Sequence, residues 1–279
     1  WIGLGTPLGG AFEDLCNYHG TMMGSLIAGK QLGLAERAQL VDVNVMPCDA
    51  LGKGRIFATD ILTALSAIEQ DQTRIGLRAK PFVVNMSLAT HAEWAQRNET
   101  KLFGTTAMVQ AVDDFIDQTG AIIVAAAGND TRDACLYFPA LIKRVITVGA
   151  LDTNGQRAEF SNFGACVDVY APGVDIPVAG SQVDTKYLLA SGTSQAAAIV
   201  TGVIAHRLAV GESANDLIAR LLQNQISPDD TYLVAALGND TPPLEPQPHK
   251  IITLSPTVLC QVSSFGASLN LRKEPNILS

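Results

Sequence analysis

The sequence predicts an α/β protein with three layers, in which helices cover both faces of a mostly parallel sheet. Short apolar runs alternate with helical periods along the chain, and this alternation is typical of parallel strands joined by crossover helices. The chain has 279 residues, of which 47% are hydrophobic and 16% are charged. This composition is sufficient for one extensive core.

Five apolar runs predict strands at residues 40–46, 82–88, 121–127, 145–151 and 167–170. Helices are predicted at 56–70 and 105–118, where apolar residues recur at three- and four-residue steps, and at 194–208, which is apolar on most faces. Parallel sheets of this kind bind ligands beyond the carboxyl ends of their strands. Ser87, Leu88 and Asn129 fall at such ends, so we expect a cleft there.

Charge and hydropathy exclude two classes of partner. The net charge is −8, and no Lys/Arg cluster is present to follow a phosphate backbone, so we expect no nucleic-acid partner. Two uncharged runs, 187–205 and 251–271, are long enough to resemble membrane spans. Polar and turn-forming residues at 191–195 interrupt the first, and Pro256 and Gly266 interrupt the second. We therefore predict a buried helix in the first run and no membrane span.

Ser194 is the candidate nucleophile. It follows Gly192 and Thr193, which allow a tight turn, and it precedes a long apolar helix whose N-terminal dipole favours negative charge. An ordinary helix N-cap is the competing interpretation of the same residues.

Two further residues favour catalysis. His19 begins a second short apolar helix, where an imidazole can face a cleft. Asn129 follows the apolar run 121–127, where a strand passes into a loop, and its side-chain amide could donate to an oxyanion.

These segments resemble the motifs of the subtilases, the serine proteases related to subtilisin and proteinase K. The chain contains His-Gly-Thr from His19, Ala-Ala-Gly-Asn ending at Asn129 and Ser-Gly-Thr-Ser-x-Ala around Ser194, in the family's order. Asn-Met-Ser-Leu at 85–88, Phe-Ser-Asn at 160–162 and Ala-Pro-Gly at 171–173 also match. The resemblance covers roughly residues 12 to 235. It implies Ser194 as nucleophile, His19 as general base and Asn129 as oxyanion donor.

The resemblance also implies two walls of a substrate cleft. The substrate-binding strand corresponds to Ser87, Leu88 and Ala89, and one wall of the primary specificity pocket corresponds to Ala126, Ala127 and Gly128. The family usually has Gly at the position of Ala89, so this residue is expected to narrow the cleft.

The triad Asp of the family has no counterpart in the chain. Subtilase triads run Asp, His, Ser, and Asp14 is the only Asp before His19. Asp14 resembles a loop residue just before the His, and Asp42 is interpreted as a solvated or hydrogen-bonded strand residue. Either the Asp lies upstream of Trp1 or on a separate polypeptide, or it is absent.

Three functions remain open. The first is a serine endopeptidase with protein or peptide substrates, and with a propeptide or an N-terminal fragment as a further partner. The alternative is a catalytically impaired subtilase fold used for binding. A non-protease α/β hydrolase is the third, but its nucleophile turn would read Gly-x-Ser-x-Gly and its His would follow the Ser.

Composition adds three expectations about organisation. We predict a catalytic domain at 1–237, a Pro-rich linker at 238–250 and a small C-terminal appendage at 251–279. The five cysteines lack the spacing of a zinc site, and their pairing stays open. We expect a secreted protein or one of the secretory pathway. The chemistry requires no cofactor, no metal is assigned, and calcium is compatible with the resemblance although Asp168 alone does not define a site.

Overall fold

The computed structural model describes residues 2–4, 19–45, 58–71, 81–92, 105–180, 187–223 and 258–263. Its helices are α1 (His19–Ala28), α2 (Ala58–Asp71), α3 (Thr105–Thr119), α4 (Thr193–Ala209) and α5 (Ala214–Gln223). Its strands are β1 (Ile2–Leu4), β2 (Gln39–Asn44), β3 (Phe82–Met86), β4 (Thr90–His91), β5 (Ile122–Ala126), β6 (Tyr137–Phe138), β7 (Ile146–Leu151), β8 (Val169–Pro172), β9 (Ile176–Ala179), β10 (Tyr187–Ala190) and β11 (Val258–Ser263).

Seven of these strands form one sheet in the order β1-β2-β11-β3-β5-β7-β8, and every neighbouring pair is parallel. The five strands predicted from sequence are all present in this sheet, with ends displaced by up to two residues. The predicted α/β fold class is therefore confirmed.

Side chains alternate between the two faces of the sheet and supply two separate cores. In β5, Ile122, Val124 and Ala126 pack with α1, α4 and α5, whereas Ile123 and Ala125 pack with α2 and α3. This division follows from the two-residue period of a strand. It produces the three layers of helix, sheet and helix.

Helix α4 is buried around most of its circumference because it lies between α1 and the sheet. Gly202 faces the backbone carbonyls of Leu26 and Ile27, and an added Cβ would lie 3.4 Å from each oxygen. The backbones of α1 and α4 therefore approach closely. Among the described residues, no helix combines the length and apolarity needed to cross a membrane.

The uncharged run 187–205 is only partly a buried helix, which corrects the sequence-based interpretation. Its first residues form β10, which pairs antiparallel with β9 and exposes 69% of Leu189. The helix begins at Thr193 because Ser191 and Gly192 form the intervening turn.

The C-terminal strand also differs from expectation. Residues 258–263 are predicted to belong to a small appendage, but β11 lies inside the main sheet, parallel to both β2 and β3. At this position β11 forms hydrogen bonds with β2 on one side and with β3 on the other. The facing edges of those two strands are therefore paired, and unpaired strand edges are unfavourable. The predicted linker at 238–250 and Asp14, predicted to be a loop residue, lie outside the described residues.

Candidate active site

The candidate residues converge on the carboxyl edge of the sheet. Ser87 and Asn129 follow β3 and β5, two parallel strands that are neighbours in the sheet. Helix α1 lies between the parallel strands β1 and β2 in the chain, so it runs against the strand direction and begins at this edge with His19. Helix α4 packs along α1.

Ser194 is held against the end of β3 by reciprocal hydrogen bonds. Its Oγ donates to the backbone oxygen of Ser87 at 3.4 Å, and the Ser87 Oγ donates to the backbone oxygen of Ser194 at 2.9 Å. Behind them, Asn85 Nδ2 donates to Ser87 Oγ at 3.0 Å, and Thr201 Oγ1 donates to Asn85 Oδ1 at 2.9 Å. This buried polar chain fixes the first turn of α4 relative to the sheet.

The orientation of the Asn129 side chain follows from its contacts with Thr193. Asn129 Oδ1 accepts hydrogen bonds from both the backbone N–H and the Oγ1 of Thr193, each at 2.9 Å. Thr193 Oγ1 also accepts from the backbone N–H of Gly128 at 3.1 Å. Because the amide oxygen is occupied in this way, Nδ2 is the atom of Asn129 that remains to face a ligand.

The two candidate oxyanion donors border the same space, beside Gly192. A Cβ added at Gly192 would lie 3.6 Å from Asn129 Nδ2 and 3.7 Å from the backbone nitrogen of Ser194. It would also lie 2.8 Å from Gln195 Oε1, closer than real Cβ atoms normally approach. Glycine at this position therefore leaves the space between the two donors open.

The residues expected to bind substrate form two adjoining segments. Ser87 and Leu88 are buried and Ala89 is exposed, at the end of β3. Ala126, Ala127 and Gly128 are buried at the end of β5, and Gly128 has φ of +105°. The two segments meet, because a Cβ added at Gly128 would lie 3.4 Å from the Cβ of Ala89.

Burial controls the charge of His19. Desolvation lowers the pKa of its imidazole from 6.5 to about 4, so the ring is neutral at physiological pH. Only a neutral imidazole can accept a proton from a hydroxyl. In this structure His19 is thus already in the protonation state that a general base requires.

This depressed pKa predicts that part of the stability is lost in mild acid. As the pH is lowered from 6.5 to about 4, His19 becomes protonated in the unfolded chain but stays neutral in the folded chain. The free energy of unfolding therefore decreases by up to about 3 kcal/mol over this range. His19→Gln should remove this loss, which urea unfolding between pH 4 and 7.5 would measure. Burial also lowers the pKa of His206, so His206→Gln should remove a separate loss of the same sign and leave the contribution of His19 in place.

Asp168 contributes with the opposite sign over an overlapping range, because burial raises its pKa to about 6. The comparison of His19→Gln with the unsubstituted protein cancels this contribution. An identical pH dependence in the two proteins would contradict the assignment of the loss to His19.

Asp168 does not define a metal site. Its Oδ2 accepts a hydrogen bond from the backbone N–H of Thr147 at 2.8 Å, and no group of three or more His, Cys, Asp or Glu side chains that could hold a metal occurs in the described part of the chain. Asp42 is buried within β2, so of its two alternative interpretations the solvated one is wrong.

One disulfide pairing, which the sequence left open, is defined. Cys135 and Cys166 are bonded and connect the segment after β5 to the segment before β8. Cys16 and Cys48 lie outside the described residues.

Sequence reasoning missed three polar residues that support the site. Asn85, Thr193 and Asn162 are all buried, and each lies within a motif already noticed for its neighbours. The sequence contains one signal for them, since each is an amide or hydroxyl residue among apolar or small residues. A polar residue in such a segment is expected to be buried, and a buried polar group needs hydrogen-bond partners.

Comparisons with known proteins agree with the fold and the motifs. A model described as the subtilase family matches residues 5–231. An extracellular serine proteinase of Thermus sp. (strain Rt41A) is 38% identical over 200 residues, covering 72% of this chain and 43% of that protein. Proprotein convertase subtilisin/kexin type 9 of Mus musculus is 35% identical over 248 residues, covering 87% of this chain and 32% of that protein.

The chain spans less than half the length of these two curated relatives. Among solved structures, a cold adapted subtilisin-like serine proteinase aligns with a TM-score of 0.62 and 30% identity, covering 78% of this chain and 74% of that one. The family match includes most of the chain and every motif described above. This chain therefore belongs to the subtilase family.

Proposed function

We propose that the protein is a serine endopeptidase that hydrolyses peptide bonds through an acyl-enzyme. Ser194 Oγ attacks the peptide carbonyl while His19 accepts its proton, and His19 then delivers that proton to the leaving amine. Water hydrolyses the acyl-enzyme by the same proton transfers in reverse. The main support for this function is the space beside Gly192, which is bordered by Asn129 Nδ2 and the backbone nitrogen of Ser194. These two donors are suited to a tetrahedral oxyanion.

The substrate is proposed to lie between the two adjoining segments at the carboxyl edge. Ser87, Leu88 and Ala89 would line one side, and the small residues Ala126, Ala127 and Gly128 would form the wall of the specificity pocket. These small side chains favour a large apolar substrate residue. The Cβ of Ala89, close to Gly128, limits the width of the cleft.

We propose that the triad carboxylate comes from outside these 279 residues. In the order of the family it precedes the His, and the resemblance assigns Asp14 to a position just before the His rather than to the triad Asp. The donor would be an upstream segment or a separate N-terminal fragment, and a propeptide is a further partner. The catalytic unit is proposed to comprise residues 1–237 together with β11, which lies between β2 and β3 in the same sheet. The chemistry itself needs no cofactor.

Secretion is the proposed localisation. Disulfides persist mainly in oxidising compartments, and the Cys135–Cys166 bond favours such a compartment. The relative from Thermus is named as extracellular.

A second candidate function is binding by a catalytically impaired subtilase fold. The observation that favours it is the missing acid, since without a carboxylate the imidazole often holds the wrong tautomer for catalysis. The experiment with the upstream segment, described in the Discussion, separates the two functions.

Asn129→Ala tests the oxyanion assignment. Loss of one such donor in a subtilisin lowers kcat by about 10²–10³, and we expect the same loss here with KM little changed, because the amide serves the transition state more than the bound substrate. Steady-state hydrolysis of an apolar-residue peptide would measure both constants. Asn154→Ala, in an exposed turn after β7, is the control. A raised KM with unchanged kcat would make Asn129 a substrate-positioning residue instead.

A further inference from the structure

We infer that Asn162 is a positioning residue of the oxyanion hole, which acts by fixing the backbone on both sides of Asn129. The inference rests on the proposed function of Asn129. Asn162 lies between β7 and β8 and is fully buried. None of the elements that carry His19, Asn129 or Ser194 contains it.

The side chain of Asn162 bonds to the chain before and after Asn129. Its Nδ2 donates to the backbone oxygen of Ala127 at 2.9 Å. Its Oδ1 accepts from the backbone N–H groups of Asp130 and Arg132, each at 3.0 Å. One amide therefore connects three peptide groups that surround Asn129.

The backbone of Asn162 adds a fourth connection. Its N–H donates to the carbonyl of Gly128 at 2.9 Å. A Cβ added at Gly128 would collide with Asn162 Nδ2, so the amide occupies the room that the glycine leaves. The close fit between these residues leaves the segment little freedom to shift.

The aim of Asn129 Nδ2 depends on two independent attachments. Thr193 holds the side-chain oxygen from the first turn of α4, and Asn162 holds the backbone from the opposite side. Without the amide of Asn162, the backbone of Asn129 would be free to move although its side-chain oxygen stayed bonded to Thr193. The direction in which Nδ2 points would then change. A misplacement of about 1 Å can cost on the order of 10²-fold in rate.

Other contacts should keep the loop folded when Asn162 is changed. The Thr131 Oγ1 donates to the backbone oxygen of Glu159 at 2.7 Å, and the Cys135–Cys166 disulfide closes the far end of the loop. We therefore expect Asn162→Ala to alter the local aim of Asn129 rather than to release the segment.

A double-mutant cycle tests the inference in the chain assayed together with the upstream segment that is proposed to supply the triad carboxylate. Asn162→Ala should lower kcat by about 10-fold to 10²-fold, with a smaller effect on KM, a loss bounded by that of removing the donor itself. In the Asn129→Ala background the same change should have little further effect on kcat, because no amide remains to be aimed. Equal losses in the two backgrounds would overturn the inference.

Ser161→Ala is the matched control. Ser161 is equally buried and adjacent, but its Oγ accepts from the backbone N–H of Ala150 and donates to the backbone oxygen of Asn162, away from the loop of Asn129. It should keep kcat. A loss equal to that of Asn162→Ala would mean that any damage to this turn suffices, which overturns the specific role.

Two further measurements test the inference if Asn162→Ala does not fold or if the protein shows no hydrolysis. If Asn162→Ala does not fold, Asn162→Asp replaces it in the cycle, since its carboxylate still accepts from Asp130 and Arg132 but cannot donate to Ala127. If the unsubstituted protein shows no Ser194-dependent hydrolysis, the proposed function fails, and crystal structures of both proteins still decide the inference. A displacement of Asn129 Nδ2 by more than about 0.5 Å in Asn162→Ala supports it, and an unchanged position overturns it.

Discussion

Ser194→Ala is expected to lower kcat for peptide hydrolysis by about 10⁶, the size of the loss when the nucleophile of a subtilisin is removed. The reason is that the acyl-enzyme forms on the Ser194 hydroxyl, so only the binding site and the oxyanion donors would remain to assist water. A fluorophosphonate should label the unsubstituted full-length protein at Ser194, as located by mass spectrometry of its peptides, and should fail to label Ser194→Ala.

Ser191→Ala provides the matched control for this experiment. Ser191 lies in the same turn, three residues earlier, and its Oγ accepts from the backbone N–H of Asp175 at 2.9 Å. This variant should still be labelled and should still hydrolyse peptide. Labelling that persists in Ser194→Ala would remove Ser194 from the nucleophile role.

The second large effect concerns the missing carboxylate. The 279-residue chain alone is expected to be weakly active or inactive, and addition of a segment whose apolar strand ends in Asp followed by Ser or Thr and Gly should raise kcat by about 10⁴. The carboxylate would hold the imidazole in the correct tautomer and stabilise its charged form. The measurement is kcat/KM on the same peptide with and without the segment.

Two controls make this result specific. A segment with Asp→Asn should bind without restoring activity. The Asp segment should also raise the pKa of His19 above its value of about 4, because a nearby negative charge favours the imidazolium, and NMR titration of the ring would detect the change. Full activity of the chain alone would assign the role to Asp14 or another acid, and inactivity with the segment bound would favour the binding function.

The sequence by itself determined the fold class and the edge of the sheet at which the candidate residues lie. Apolar runs alternate with helical periods, and the rules of parallel sheets then bring Ser87 and Asn129 to the carboxyl edge. These features are local, since hydrophobic periodicity and a glycine-containing turn before Ser194 depend on neighbours in the chain. Nothing more distant is needed to recognise them.

Tertiary structure alone decided which polar groups meet. Thr193 and Asn129 are 64 residues apart, Asn162 and Asp130 are 32 apart, and Ser87 and Ser194 are 107 apart. No local pattern encodes such pairings, because each depends on how whole elements pack. The same reason applies to β11, whose apolar sequence is compatible with an appendage and with the interior of the sheet. It applies also to His19, whose pKa is lowered by the surroundings that folding builds around its ring.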